Sequence, residues 1–203
     1  MDLQKRQRLG YLTAALVVLL VAFSVAGGYI AGYYNVAGAN PVTPPRPLPK
    51  DVCSVLSKST QLRLVPSGVA VRPRVTQDGT TKTTASCGLA TGTRNAITYN
   101  EGRLSIQVDR YGGGTASDRT RAAEQAMTEI LNRADPAGEA DKKLGELSWV
   151  TLEKVGANTW RARVFAQQED TVAGIDYTTW LGNGRDTRKA AVAVTNELLA
   201  GLT

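Results

Sequence analysis

The side chains that could do chemistry are few, and the first fact about them is an absence. The 203-residue chain contains no histidine. That removes Ser-His-Asp and Cys-His catalysis, His-ligated zinc and imidazole pH switching together. Cys53 and Cys87 are the only cysteines, too few thiolates for a structural zinc site. Their spacing is long and lacks the CxxC of a redox pair. In an oxidising compartment they are expected to form one structural disulfide, the alternative being two free thiols. Closing a loop of about 35 residues would contribute roughly 3.5–4 kcal/mol by chain entropy. No metal and no cofactor is expected.

Four other groupings invite a chemical reading. Asp109-Arg110-Tyr111-Gly112-Gly113-Gly114 precedes a helical pattern, and backbone N–H groups in such a turn can hold phosphate. It matches neither G-x-G-x-x-G nor a P-loop, so it reads as a strand-to-helix turn. Asp135, Glu139, Asp141 and Glu146 supply the oxygen ligands calcium prefers, but without EF-hand spacing. They read as a solvated acidic loop. Glu169 and Asp170 are neighbours in a turn, whereas paired catalytic carboxylates face a substrate from opposite sides; they read as surface. Trp149, Trp160 and Trp180 lie on strand patterns, where core packing outweighs a role as sugar or peptide platforms.

Charge is unevenly spread. Residues 46–121 carry 12 Lys/Arg against five Asp/Glu, and residues 122–203 carry nine against 12. Arg63, Arg72, Arg74, Lys82 and Arg94 are candidates for one surface facing anionic wall polymer or lipid head groups.

The N-terminus constrains where such a surface would work. Residues 10–30, GYLTAALVVLLVAFSVAGGYI, are uncharged, and at about 1.5 Å per residue they span roughly 30 Å, the thickness of a bilayer core. Lys5, Arg6 and Arg8 precede them and no Lys or Arg follows until Arg46. The positive-inside rule puts residues 1–9 in the cytoplasm, a signal-anchor helix at 10–34 and the rest outside. This is a single-pass cell-membrane protein on that reading. The alternative is secretion after cleavage at Ala37-Gly38-Ala39, though the apolar run exceeds a usual signal core. Ser24, Gly28 and Gly32 recur every four residues and could form a helix-dimer face, giving a homo-oligomer through the membrane helix. Nucleic acid is not an expected partner outside the cell, despite a pI near 9.5. Residues 35–50 are proline-rich and read as a semi-rigid spacer, with the folded domain at 51–203.

That domain reads as α+β. Residues 51–62 read as a short helix carrying Val52, Val55, Leu56 and Leu62 inward. Residues 65–84 look like a loop, 85–92 like a strand, and Ile97 with Tyr99 like a hairpin start. Leu104, Ile106 and Val108 alternate with polar neighbours, the period of a half-buried strand. Thr115 or Ser117 caps a helix whose apolar face runs from Ala122 to Ala134. Strands at 147–155, 159–166 and 171–181 follow, with Arg161 and Arg163 facing away from Trp160, Ala162 and Val164. Asp186 caps a final helix with Ala190, Val194, Leu198 and Leu202 at i+4. The expected fold is an N-terminal transmembrane helix followed by one domain, an antiparallel sheet packed by two main helices on one face.

This layout resembles a family of small actinobacterial secreted, lipid-anchored or membrane-anchored extracytoplasmic proteins known as a domain of unknown function. Cys53-Ser54-Val55-Leu56 matches its Cys-x-Leu-Leu-like start. Ser86-Cys87-Gly88-Leu89 matches its second cysteine at a strand opening, although an aromatic often follows that cysteine. Lys143-Leu144-Gly145-Glu146 stands where a Gly-Leu-Gly approach is common, and residues 188–202 match the closing helix. The resemblance implies an extracytoplasmic, non-enzymatic accessory role. The expectation is an accessory or binding domain contacting another envelope protein or an anionic cell-wall component. The alternatives are a cryptic hydrolase or transferase using Asp, Glu, Ser or Lys, and a structural oligomerising membrane protein.

Overall fold

The computed structural model describes residues 42–66, 68–91, 101–134, 137–180 and 182–203. Alternating strands dominate it. Six of them, β1 (Gly68–Asp78), β2 (Lys82–Thr91), β3 (Glu101–Tyr111), β4 (Leu147–Lys154), β5 (Thr159–Gln168) and β6 (Thr171–Trp180), form one antiparallel sheet in the order β1-β2-β3-β6-β5-β4. Two three-stranded meanders therefore meet along β3 and β6. Among the described residues three α-helices accompany them: α1 (Lys58–Leu64), α2 (Ala116–Arg133) and α3 (Gly184–Leu202). A 3-10 turn, Val52–Val55, precedes α1.

The period-2 pattern of β3 is realised fully. Leu104, Ile106 and Val108 are buried and face the main core with Val164, Ile175, Val194 and Leu198. The other side of the sheet also carries apolar residues. Val172 packs there with Ala123 and Met127 of α2, flanked by Tyr111, Trp149 and Phe165. The two long helices thus lie on opposite faces, not on one as expected. The reason is that β4, β5 and β6 each place at least one large apolar side chain on each face.

The expected fold class needs a second correction. Among the described residues no helix is long and apolar enough to cross a membrane. The two longest, α2 and α3, are amphipathic and both carry Arg, Asp and Glu, which suits a helix packed on a sheet. The fold established is the sheet with its helices. Residues 10–34, with Ser24, Gly28 and Gly32, lie outside the described residues, as do Ile97, Tyr99, Arg94 and Asp135.

Local chemistry explains the helix ends. Thr115 caps α2 with a full capping box: its hydroxyl accepts from Asp118 N–H at 3.1 Å, and the Asp118 carboxylate accepts from Thr115 N–H at 2.9 Å. Asn183, not Asp186, caps α3; its side-chain oxygen accepts from Asp186 N–H. The expected first helix splits at Leu56, where Ser57 caps α1, leaving Leu62 exposed and Leu64 buried. The stretch 65–84 is no loop but the hairpin of β1 and β2.

The disulfide joins Cys53 of the 3-10 turn to Cys87 of β2, inside the main core. The C-terminal helix holds the same corner. Glu197 of α3 accepts from Ser57 N–H at 2.6 Å and from the Thr60 hydroxyl at 2.7 Å, capping α1 from outside. The Ser57 N–H bond is the main cause of a Glu197 pKa below the usual carboxylate value. A depressed folded pKa adds stability above the unfolded pKa, about 4.3–4.5, and loses it as pH falls through the folded value. Glu197→Gln is therefore expected to cost about 1 kcal/mol at pH 7, after solvent screening. In denaturant melts the gap to the parent should close as pH falls below 4.5. A gap of constant size would disprove the linkage.

Residues 42–50, expected as spacer, are docked on this unit from Val42 onward. Thr43 pairs through both backbone groups with Gly113, and Leu48 enters the core. Beneath this segment lies Asp170, expected at the surface but buried. Arg46, Arg110 and Arg119 converge on it at 3.2, 3.8 and 3.8 Å. Arg110, itself buried, donates to Thr171 Oγ1 and to the carbonyls of Pro47 and Leu202. Burial pushes the Arg110 pKa down, and Asp170 opposes that shift. One carboxylate thereby ties the N-terminal segment, β3, α2 and the end of α3 to the β5–β6 turn. Its exposed neighbour Glu169 takes a left-handed φ of 51° there.

Candidate functional site

Strand register decides which side chains share a face. Opposite the main core, one row across the sheet reads Val69, Ala90, Arg103, Thr178, Arg161, Glu153. The next reads Val71, Gly88, Ser105, Asp176, Arg163, Thr151. The third passes through Arg74, Ser86, Gln107, Gly174, Phe165 and Trp149. Helix α2 covers only the end of the sheet that carries Val172, Phe165, Trp149 and Tyr111. Among the described residues, no helix lies over the first two rows.

The uncovered rows hold two adjoining hollows of about 450 and 410 Å³, both bordered by Ser105 and Asp176. The first is walled by Trp180 and Val155, the second by Phe165 and Ile130. Arg161 and Asp176 form a bidentate pair, Nε lying 2.9 and 3.0 Å from the two carboxylate oxygens while Nη2 also reaches Oδ2. That hydrogen-bonded pairing is the main cause of a raised Arg161 pKa. Arg163 approaches Asp176 at 3.7 Å and Glu153 at 3.9 Å. Arg103 is exposed, and its side chain makes no ion pair or hydrogen bond among the described residues. Trp180 and Val155 leave 38% and 45% of their area in water. Ser105 and Thr178 line the first hollow with hydroxyls.

The five basic residues expected to form one surface do not converge. Arg74 is exposed on β1 and shares the uncovered face with Lys82, which pairs with Asp109 at 3.8 Å. Arg72 lies in β1 at its register shift. Arg63 ends α1 on the opposite side of the sheet. There it borders a cavity of about 620 Å³, with Tyr177, Asn183 and Asp186. Of these, Tyr177, Asn183 and Asp186 are already committed. Tyr177 donates to Leu64 O, and Asn183 and Asp186 cap α3. The uncovered face is therefore the better candidate. Arg103, Ser105 and Asp176 were not expected to matter; the polar members of β3 and the outward Arg161 and Arg163 were the available signal.

The other chemical readings are settled by hydrogen bonds. Gly112 N–H donates to Thr81 O at 2.7 Å and Gly113 N–H to Thr43 O at 3.1 Å, so neither is free for phosphate. A Cβ on Gly112 would come within 2.6 Å of Thr80 O and 2.8 Å of Thr43 O. Gly112→Ala is expected to lower stability by about 1–3 kcal/mol, read as a reduced melting temperature; no change would refute the tight packing. Of the acidic loop, Glu139 and Asp141 pair with Arg188 at 2.7 and 3.7 Å, and Glu146 accepts from Gln167. Glu139 and Asp141 thus share one guanidinium, while Glu146 turns to a different partner. Asp51, Cys53 and Cys87 lie close together, but both sulfurs are spent in the disulfide.

Compared with known proteins, the chain matches no family model, and no relative is found among curated proteins.

Proposed function

We propose that this chain is an extracytoplasmic accessory or binding domain without catalysis. It contacts an envelope protein or an anionic cell-wall component through the uncovered sheet face. The observation that carries the reading is that face: two rows rich in exposed and half-buried polar and charged side chains, with no helix over them among the described residues. A sheet normally buries one face and solvates the other, but this one sets hollows, an arginine unpaired among the described residues and an exposed tryptophan on the solvated side. Asp176 sits between two arginines, which suits a fixed recognition group better than a proton donor. The buried disulfide fits an oxidising compartment, and the resemblance to the extracytoplasmic family points the same way.

The test is capture of envelope material by the tagged full-length chain and by Arg103→Glu. Charge reversal on the face should reduce specific capture at least about tenfold, and capture should weaken as salt rises. Equal capture by the two chains would contradict the proposal.

A further inference from the structure

Resting on that reading, the hollow beside Trp180 narrows the ligand's chemistry. Its volume of about 450 Å³ falls within the range of small-molecule sites, about 300–1,000 Å³. Three kinds of group meet there. Trp180 offers a half-exposed ring, an amphipathic platform for the C–H face of a ring-shaped ligand. Ser105, Thr178 and the Asp176 carboxylate, the last pre-set by Arg161, line the hollow as donors and acceptors. Arg103 brings a planar guanidinium fork with no partner among the described residues, matched to a carboxylate.

Backbone pairing decides between classes of occupant. The hollow lies over β3, β6 and β5, each paired on both sides. A peptide strand cannot add to an interior strand, because the backbone groups are already used. Recognition here must run through side chains alone, which suits a hydroxyl-bearing ring. A phosphate dianion is disfavoured, since Arg103 is the one cation lining the hollow without an ion pair among the described residues, and one guanidinium balances the single charge of a carboxylate.

We propose that this hollow binds a sugar unit carrying a carboxylate. The ring stacks on Trp180, its hydroxyls engage Asp176, Ser105 and Thr178, and its carboxylate pairs with Arg103.

The experiment is a fluorescence and calorimetric titration of the purified full-length chain with N-acetylmuramic acid and with N-acetylglucosamine, which lacks the lactyl carboxylate. The acid should bind at least about tenfold more tightly. Arg103→Gln should erase that preference, and Trp180→Leu should weaken both sugars. Both side chains are exposed, so thermal melts of the variants should match the parent, separating binding from folding. Equal affinity for the two sugars, or binding of neither, overturns the proposal. If neither sugar binds while Arg103→Glu still abolishes envelope capture, the sugar assignment fails alone. If capture is also unchanged, the binding-face reading fails with it.

Discussion

Asp170→Ala is expected to cost about 3–4 kcal/mol of folding stability, the largest single-residue loss outside the apolar core. Breaking a buried ion pair from one side leaves an uncompensated charge, typically worth about 3–5 kcal/mol. Here the stranded charge is Arg110, only 5% exposed, with Arg119 and Arg46 alongside. Arg110 keeps its bonds to Thr171, Pro47 and Leu202, which places the loss toward the low end. For a domain of this size it corresponds to a fall of roughly 6–16 °C in melting temperature. Arg110→Met should also destabilise. The double variant should cost at least about 1 kcal/mol less than the two losses added, because each removes the partner whose absence hurts the other. Strict additivity would show that Asp170 and Arg110 do not act as a unit. Because Arg46 is part of the cluster, proteolysis near residues 42–50 should also accelerate in Asp170→Ala.

Reduction of the disulfide, or the pair Cys53→Ser with Cys87→Ser, should cost about 3.5–4 kcal/mol. The bond ties the 3-10 turn to β2, joining the first element of the fold to the sheet's interior. Denaturant melts with and without reductant read the difference directly. The contacts at the same corner set the margin. Gln61 donates to the carbonyls of Cys53 and Leu56 at 2.9 Å, and Glu197 caps α1. A loss below about 1 kcal/mol would mean that these bonds hold the corner unaided and that chain entropy is the wrong description.

Much of the fold could be read from residue pattern because the relevant signals are local. The alternation of Leu104, Ile106 and Val108, the Thr115/Asp118 capping box and the i+4 series of α3 each appear within one or two turns of chain. β1 was hidden for a physical reason. Its register shifts between Val71 and Arg74, so Val69 and Val71 point to the uncovered face and Val75 to the other. Pro73 interrupts it as well. Such irregularity is how an edge strand avoids pairing with other chains, and it also breaks the period-2 signal. Asp170 was unreadable because its partners stand far away in sequence and its neighbour Glu169 is exposed. The candidate site was half legible. The outward arginines of β5 and polar residues of β3 marked a solvated face. That α2 would cover only part of it depends on how the long helix crosses the sheet, which no local spacing encodes.

The most direct measurement is site-specific photo-crosslinking in cells, with a photoreactive residue at position 105 on the uncovered face or at position 193. Ala193 is exposed on α3, across the sheet from Ser105. Covalent adducts from position 105 and none from position 193 are the predicted result. Adducts from position 193 alone, or none from either, would contradict the assignment of the uncovered sheet face as the binding surface.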